Sequence, residues 1–113
     1  MNQPLRGEVW TASFDPTIGR EQAGTRPALV VSEDLFNQSH AELVMVLPIT
    51  SKGKGIRSHV QVEPPEGGLS VTSFIKCEDL RSISINRLRQ RLGTVTDQTL
   101  DEVEMRLRIL LAL

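Results

Sequence analysis

Gly7-Glu8-Val9-Trp10-Thr11-Ala12-Ser13-Phe14-Asp15-Pro16-Thr17-Ile18-Gly19-Arg20-Glu21-Gln22-Ala23-Gly24-Thr25-Arg26-Pro27-Ala28-Leu29-Val30-Val31-Ser32 reads as a strand, a long charged loop and a second strand. The first arm, 7–14, sets Val9, Thr11 and Ser13 against Trp10, Ala12 and Phe14, so neither face is cleanly apolar. The second arm, 28–32, is a short apolar run, the pattern of a strand buried on both faces. Two strands that only need joining use two to five residues. Here thirteen intervene, 15–27, and they carry Arg20, Glu21, Arg26 and flexible glycines. Such a loop on a small scaffold is where function usually resides.

Outward from this pair, most of the chain reads as further short strands. The run 43–49 is apolar, with Pro48 marking a strand end or a sheet edge. In 58–63, His59, Gln61 and Glu63 alternate outward against Val60 and Val62. Pro64-Pro65-Glu66-Gly67-Gly68 is a turn by composition, and 71–80 and 90–95 complete the strands. A short helix fits 33–38. Near the C-terminus, Leu100, Val103, Leu107, Leu110 and Leu111 recur at helical spacing. Thr96 is a fitting N-cap, and Asp97 suits the positive end of the helix dipole. Glu102→Arg106 and Glu104→Arg108 are i,i+4 pairs in the favourable orientation. The expected class is mainly β with α: a small barrel or sandwich, a short helix and a C-terminal helix.

The 113 residues fit a single domain, 1–113, with a core built from Val, Leu and Ile, because tyrosine is absent and aromatics total 4%. No apolar run approaches the ~20 residues of a membrane helix. The first residues lack a signal-peptide apolar segment, and the lone Cys77 has no internal disulfide partner. A reducing, cytoplasmic setting is the expectation. Net charge is −1, but its distribution is uneven. Residues 50–91 hold eight Lys and Arg against four carboxylates, a local excess that suits a polyanion. No cysteine pair, His-x₃-His or tight acidic cluster outside the C-terminal helix suggests a metal site, and no cofactor is implied.

Arg6-Gly7-Glu8-Val9-Trp10, Asp15-Pro16-Thr17 and Glu21-Gln22-Ala23-Gly24-Thr25-Arg26-Pro27-Ala28-Leu29-Val30-Val31 resemble the MazF/PemK family of toxin endoribonucleases. Pro48-Ile49-Thr50-Ser51-Lys52 and Lys76-Cys77-Glu78-Asp79-Leu80-Arg81-Ser82-Ile83 follow in that family's order and spacing, so the resemblance covers nearly the whole chain. It implies an SH3-like barrel with the C-terminal helix packed beside it, working as a homodimer. It also implies metal-independent, sequence-selective cleavage of single-stranded RNA by a toxin of a type II toxin–antitoxin pair. The implied partner is a cognate antitoxin whose disordered, acidic C-terminal segment folds over the RNA groove, which matches the basic excess.

Metal-free RNA cleavage needs a base for the 2′-OH, donors for the phosphorane-like transition state and an acid for the 5′ oxygen. His40 and His59 lie in no recognisable motif. Arg26 precedes Pro27, which biases it to extended backbone. On spacing alone it either offers its donor fork to a phosphate or closes the loop by pairing with Glu21 or Asp15. Thr50 ends an apolar strand, where its hydroxyl either serves a phosphate or satisfies a local turn. The resemblance makes Arg26 and Thr50 active-site residues, with Glu21 orienting Arg26. Ser51, Lys52 and Lys54 form a cationic, glycine-containing loop suited to tracking an RNA backbone. Lys76 and Glu78 share a strand face by period two. They are a plain pair, or the acid and base that some family members fill with Arg and Asp. Arginine is a poor free base, at a pKa of roughly 12.5 or above, so the base is Glu78 or Arg26. Arg81 binds substrate or shapes the dimer, and Arg20 adds charge beside the site. Trp10 is a core or interface aromatic, or stacks on a base. Two rivals remain: a barrel that binds RNA or peptide without cutting, and a toxin that acts on DNA gyrase by protein contact.

Overall fold

Residues 3–14 and 24–113 are described by the computed structural model. Among them the order is β1 (Glu8–Ser13), β2 (Thr25–Val30), α1 (Asp34–Asn37), β3 (Leu43–Thr50), β4 (His59–Val62), β5 (Ser73–Lys76), β6 (Arg81–Ser84), β7 (Leu88–Thr94) and α2 (Asp97–Leu111). Short 3₁₀ turns occupy Glu66–Gly68, Cys77–Asp79 and Ile85–Arg87. All strand pairs are antiparallel, along the path β4-β5-β3-β2-β1-β7, with β6 also on β3. The class is the expected one, mainly β with a C-terminal helix. The pairing path is open and ends on β4 and β7, so the sheet is barrel-like without closing.

Alternation along β1, β2 and β3 feeds two cores, one on each face. Val9, Leu29, Leu47 and Ile49 meet Val60, Val62, Ile75, Cys77 and, from α2, Val103. Ala12, Ala28, Val30, Val44 and Val46 meet Phe14 and Ile83 on the other face, with Trp10 and Leu88 against them. This is why β1 shows no clean split into apolar and polar faces in sequence and β2 reads as a continuous apolar run.

Pro48 was expected at a strand end or edge, and the structure places it, fully buried, inside the most connected strand. Val31 N–H donates to Met45 O (3.0 Å), so by alternation Met45, Leu47 and Ile49 turn their backbone groups toward β2. Val44, Val46 and Pro48 face the opposite edge. There β6 pairs as far as Val46↔Arg81, and β5 begins at Ile49↔Ile75. The ladder breaks where proline has no N–H to give. The same break corrects the expectation of one strand over 71–80. That segment leaves β3 opposite Pro48 as the turn Cys77–Asp79 and returns as β6.

Further differences are local. β2 starts at Thr25, three residues before the apolar run, and so includes Arg26. In α2, Thr96 is the N-cap, its Oγ1 accepting from Thr99 N–H (3.1 Å), and Glu102 pairs with Arg106 (3.1 Å). Glu104 does not reach Arg108 as a pair; it takes Arg6, whose guanidinium also donates to Val31 O and so ties the chain start to β2 and α2. Val103 is buried and Leu100 and Leu107 pack on the core, but Leu110 and Leu111 are 46% and 51% exposed, because the sheet ends before the helix does. Among the described residues no helix is long and apolar enough to cross a membrane.

Leu47 is wholly buried where β3 crosses the core. Leu47→Ala is expected to lose about 2–5 kcal/mol of stability in urea unfolding. Leu111→Ala, at the exposed end of the helical stripe, is expected to stay within about 0.5 kcal/mol.

Candidate functional site

The end of the β2–β3 ladder opens into a cleft of about 570 Å³. Arg26, Pro27, Thr50, Ser51 and Lys52 line one side, and 68–71 with Leu92 the other. The paired register ends at Ala28↔Pro48, and the next positions on that face along the two strands are Arg26 and Thr50, both in the cleft lining. Arg26 is exposed on that face, with Ala12 as its partner on β1. Arg26 is therefore held by the β1–β2 ladder rather than by a flexible loop. The far wall comes close because Gly68 lies against β7: a Cβ there would sit 2.1 Å from Leu92 O.

Thr50 takes the local-turn role that its position offered. Its Oγ1 accepts from Lys52 N–H (3.1 Å), which satisfies the turn. The bond uses a lone pair and leaves the hydroxyl proton for an anion in the cleft. It also curls Ser51 and Lys52 toward the same space.

Lys76, Glu78 and Arg81 do not line this cleft. Because β5 stops at Lys76, Lys76 and Glu78 do not share a strand face as expected. Arg81 likewise starts a new strand instead of continuing the old one. Asp79, which the sequence reading did not single out, sits between the two cations: Arg81 Nη2 donates to its Oδ1 (2.7 Å), and Lys76 Nζ lies 3.6 Å from its Oδ2. The Arg81 guanidinium also lies 5.1 Å from the centroid of Phe14. Lys54 is exposed beyond the cleft lining. Glu21 and Arg20 lie outside the described residues.

Glu78 is bound on both oxygens. Ser58 Oγ donates to Oε1 (2.7 Å), and His59 Nε2 is 2.9 Å from Oε2. Burial works to raise its pKa, but bonds from Ser58, its own backbone N–H and His59 outweigh that and hold it below 4.5. His59 was expected to face outward. It is instead buried at 9% exposure, and its Nδ1 has no hydrogen-bond partner among the described residues. His40 is exposed. Cys77 is buried beside the turn, and burial pushes its thiol up to about 11, consistent with its reading as a small hydrophobe.

Glu8 is a second carboxylate that sequence reading missed. It is buried at the start of β1 and accepts from Leu5 N–H (2.8 Å), Trp10 Nε1 (3.0 Å) and Arg91 Nε (2.6 Å). Desolvation is again the largest influence and acts upward, but these donors outweigh it and lower the pKa below 4.5. Of the cations in 50–91, Lys76, Arg81 and Arg91 are thus held in ion pairs.

The PemK-like, MazF-like toxins of type II toxin–antitoxin systems match residues 5–111. Endoribonuclease PemK of Escherichia coli is 38% identical over 108 residues, covering 94% of this chain and 80% of that protein. The crystal structure of MazF from Deinococcus radiodurans superposes with a TM-score of 0.88 at 30% identity, over the whole of both chains. A MazE–MazF complex from the same organism superposes at 0.83, again at 30% identity, over 100% of this chain and 99% of that one.

The lowered carboxylates Glu8 and Glu78 stabilise the fold above the unfolded carboxylate pKa of ~4.3, and that contribution is lost as pH falls through their folded values. Urea stability is therefore expected to fall steeply below about pH 4.5. Glu78→Gln should flatten that acid limb without changing the emission of Trp10. Glu8→Gln should flatten it and shift the emission, because Trp10 donates to Glu8.

Proposed function

We propose that this chain, which belongs to the PemK-like, MazF-like toxins of type II toxin–antitoxin systems, is an endoribonuclease that cuts single-stranded RNA at selected sequences without a metal. The observation that carries the assignment is the convergence of Arg26 and Thr50 on one cleft where the β2–β3 ladder ends, with Lys52 beside them. The name of the Escherichia coli relative, an endoribonuclease, supports the same activity.

In the proposed reaction the 2′ oxygen attacks the adjacent phosphorus and the P–O5′ bond breaks. The products are a 2′,3′-cyclic phosphate and a 5′-OH, the proton lost from the 2′-OH being balanced by one gained at the 5′ oxygen. Arg26 presents its planar fork to the non-bridging oxygens, and the Thr50 hydroxyl donates to one of them. Glu21 orients Arg26. Ser51, Lys52 and Lys54 follow the backbone on one side of the scissile phosphate. Lys76 and Arg81, screened by Asp79, meet it further along, and Arg20 adds charge at the loop. The base is Glu78 or Arg26: Glu78 is engaged by Ser58 and His59 and lies off the cleft lining, and Arg26 takes the 2′ proton only by passing one of its own toward the 5′ oxygen. The whole chain, 1–113, acts as one toxin domain in the cytoplasm. It works as a homodimer and is restrained by a cognate antitoxin with an acidic C-terminal segment, a pairing supported by the MazE–MazF complex.

Purified protein in EDTA is expected to cut a long single-stranded RNA at discrete sites mapped by primer extension. Arg26→Ala should lower the rate by about 10²-fold or more, and Thr50→Val by about tenfold. Glu78→Gln should stay within about threefold if Arg26 serves as base. Intact RNA at enzyme excess overturns the assignment. Blocked DNA supercoiling beside intact RNA would instead favour the gyrase reading.

A further inference from the structure

The loop 51–57 between β3 and β4 carries two glycines, and they have different causes. Gly55 adopts φ +65° in open space, a matter of backbone freedom. Gly53 has ordinary φ but no room: a Cβ there would lie 2.6, 2.7 and 2.9 Å from Cζ, Cε2 and Cε1 of Phe74. Real Cβ atoms essentially never come within 3.0 Å of another heavy atom. Gly53 therefore rests directly on the outer edge of an aromatic ring.

That ring is well placed to position the cleft. Phe74 is the direct β-ladder partner of Thr50 on one side and of Gln61 on the other. All three side chains share a face, so Thr50 and Gln61 confine the ring laterally. The loop is fixed at three points: Lys52 N–H on Thr50 Oγ1 (3.1 Å), Gly53 on Phe74, and Arg57 O accepting from Arg106 Nε of α2 (2.8 Å). The middle point sets how high the loop rides over the sheet. Raising it by an ångström would carry Lys52 N–H beyond hydrogen-bonding reach of Thr50.

We infer that Phe74 is a positioning residue for RNA cleavage: its ring seats Gly53, and this seat holds Lys52 and the Thr50 hydroxyl in the geometry that meets the phosphate. The inference rests on the nuclease reading above and concerns residues that reading does not use. Gly53 is required for close approach and not for mobility. The Lys52 charge is thereby preorganised, so binding does not have to order it.

Three readouts on the full chain separate this from a general loss of fold and from failure of the nuclease reading. The first is amide hydrogen exchange at Lys52, which needs no RNA. Gly53→Ala should speed exchange there at least tenfold at unchanged melting temperature. Adding Phe74→Leu, which deletes Cζ, Cε1 and Cε2, the three atoms that Gly53 meets, should restore protection. The second is the salt dependence of affinity for a non-cleavable 2′-deoxy oligonucleotide. The log–log slope should fall by about one in Gly53→Ala, one phosphate contact, and recover in the double variant. The third is cleavage itself, with kcat/KM down about tenfold in Gly53→Ala and largely rescued by Phe74→Leu. Wild-type Lys52 exchange in Gly53→Ala, or a loss that Phe74→Leu does not rescue, overturns the inference. The exchange and slope effects in the variants, beside wild-type protein that never cuts, overturn the nuclease reading and leave the seat standing.

Discussion

β3 must satisfy backbone groups on both of its edges with one residue, Pro48, that has no N–H to offer. On one edge it pairs with β2 without interruption; on the other it pairs with β6 and then with β5. The change of partner falls at Pro48, where a continuous ladder would demand a missing donor. The neighbouring chain therefore bulges away as Cys77–Asp79 and returns. That excursion carries Glu78 to Ser58 and His59, and places Asp79 between Lys76 and Arg81. One absent hydrogen-bond donor thus decides where four charged side chains and a buried histidine lie.

The same strand delivers the cleft. Beyond Pro48, β3 runs on to Thr50 paired with β5. Thr50 stands beside Phe74 in that ladder and lines the same cleft as Arg26. The proposed phosphate donors rest on hydrogen-bonded backbone, and only the lysines are carried by a loop. Preorganisation of this kind matters for a reaction in which charge develops on a phosphate, because donors already in place need no reorganisation. The charged surface is similarly sorted. Arg81 is held by Asp79 and Arg91 by Glu8, whereas Lys52 is presented to the cleft.

Much of this was legible in the residues. The alternation of β1, the apolar run of β2 and the stripe on α2 gave the class, and Thr96 gave the helix start. Arg26 and Thr50 were candidates on their chemistry with structural roles equally open, and only the family resemblance implied an active-site role. His59 misled because period two in 58–63 describes which side a residue faces, not what covers that side; here Glu78 and the turn that carries it lie against His59. Glu104 misled because its neighbour in space, Arg6, is almost the whole chain away. Leu110 and Leu111 have the right spacing for a buried stripe and no sheet beneath them.

Local pattern by itself determined which segments are strands and which are helices, and which residue types can serve an anion. Those properties depend on side-chain period and chemistry within a few residues. Only the tertiary structure decided that β3 is shared among three strands, that 71–80 breaks, and that Phe74 seats Gly53. Each of these depends on pairing between distant segments, where a missing N–H on one strand or a missing Cβ on one loop is felt by a neighbour that the sequence does not place beside it.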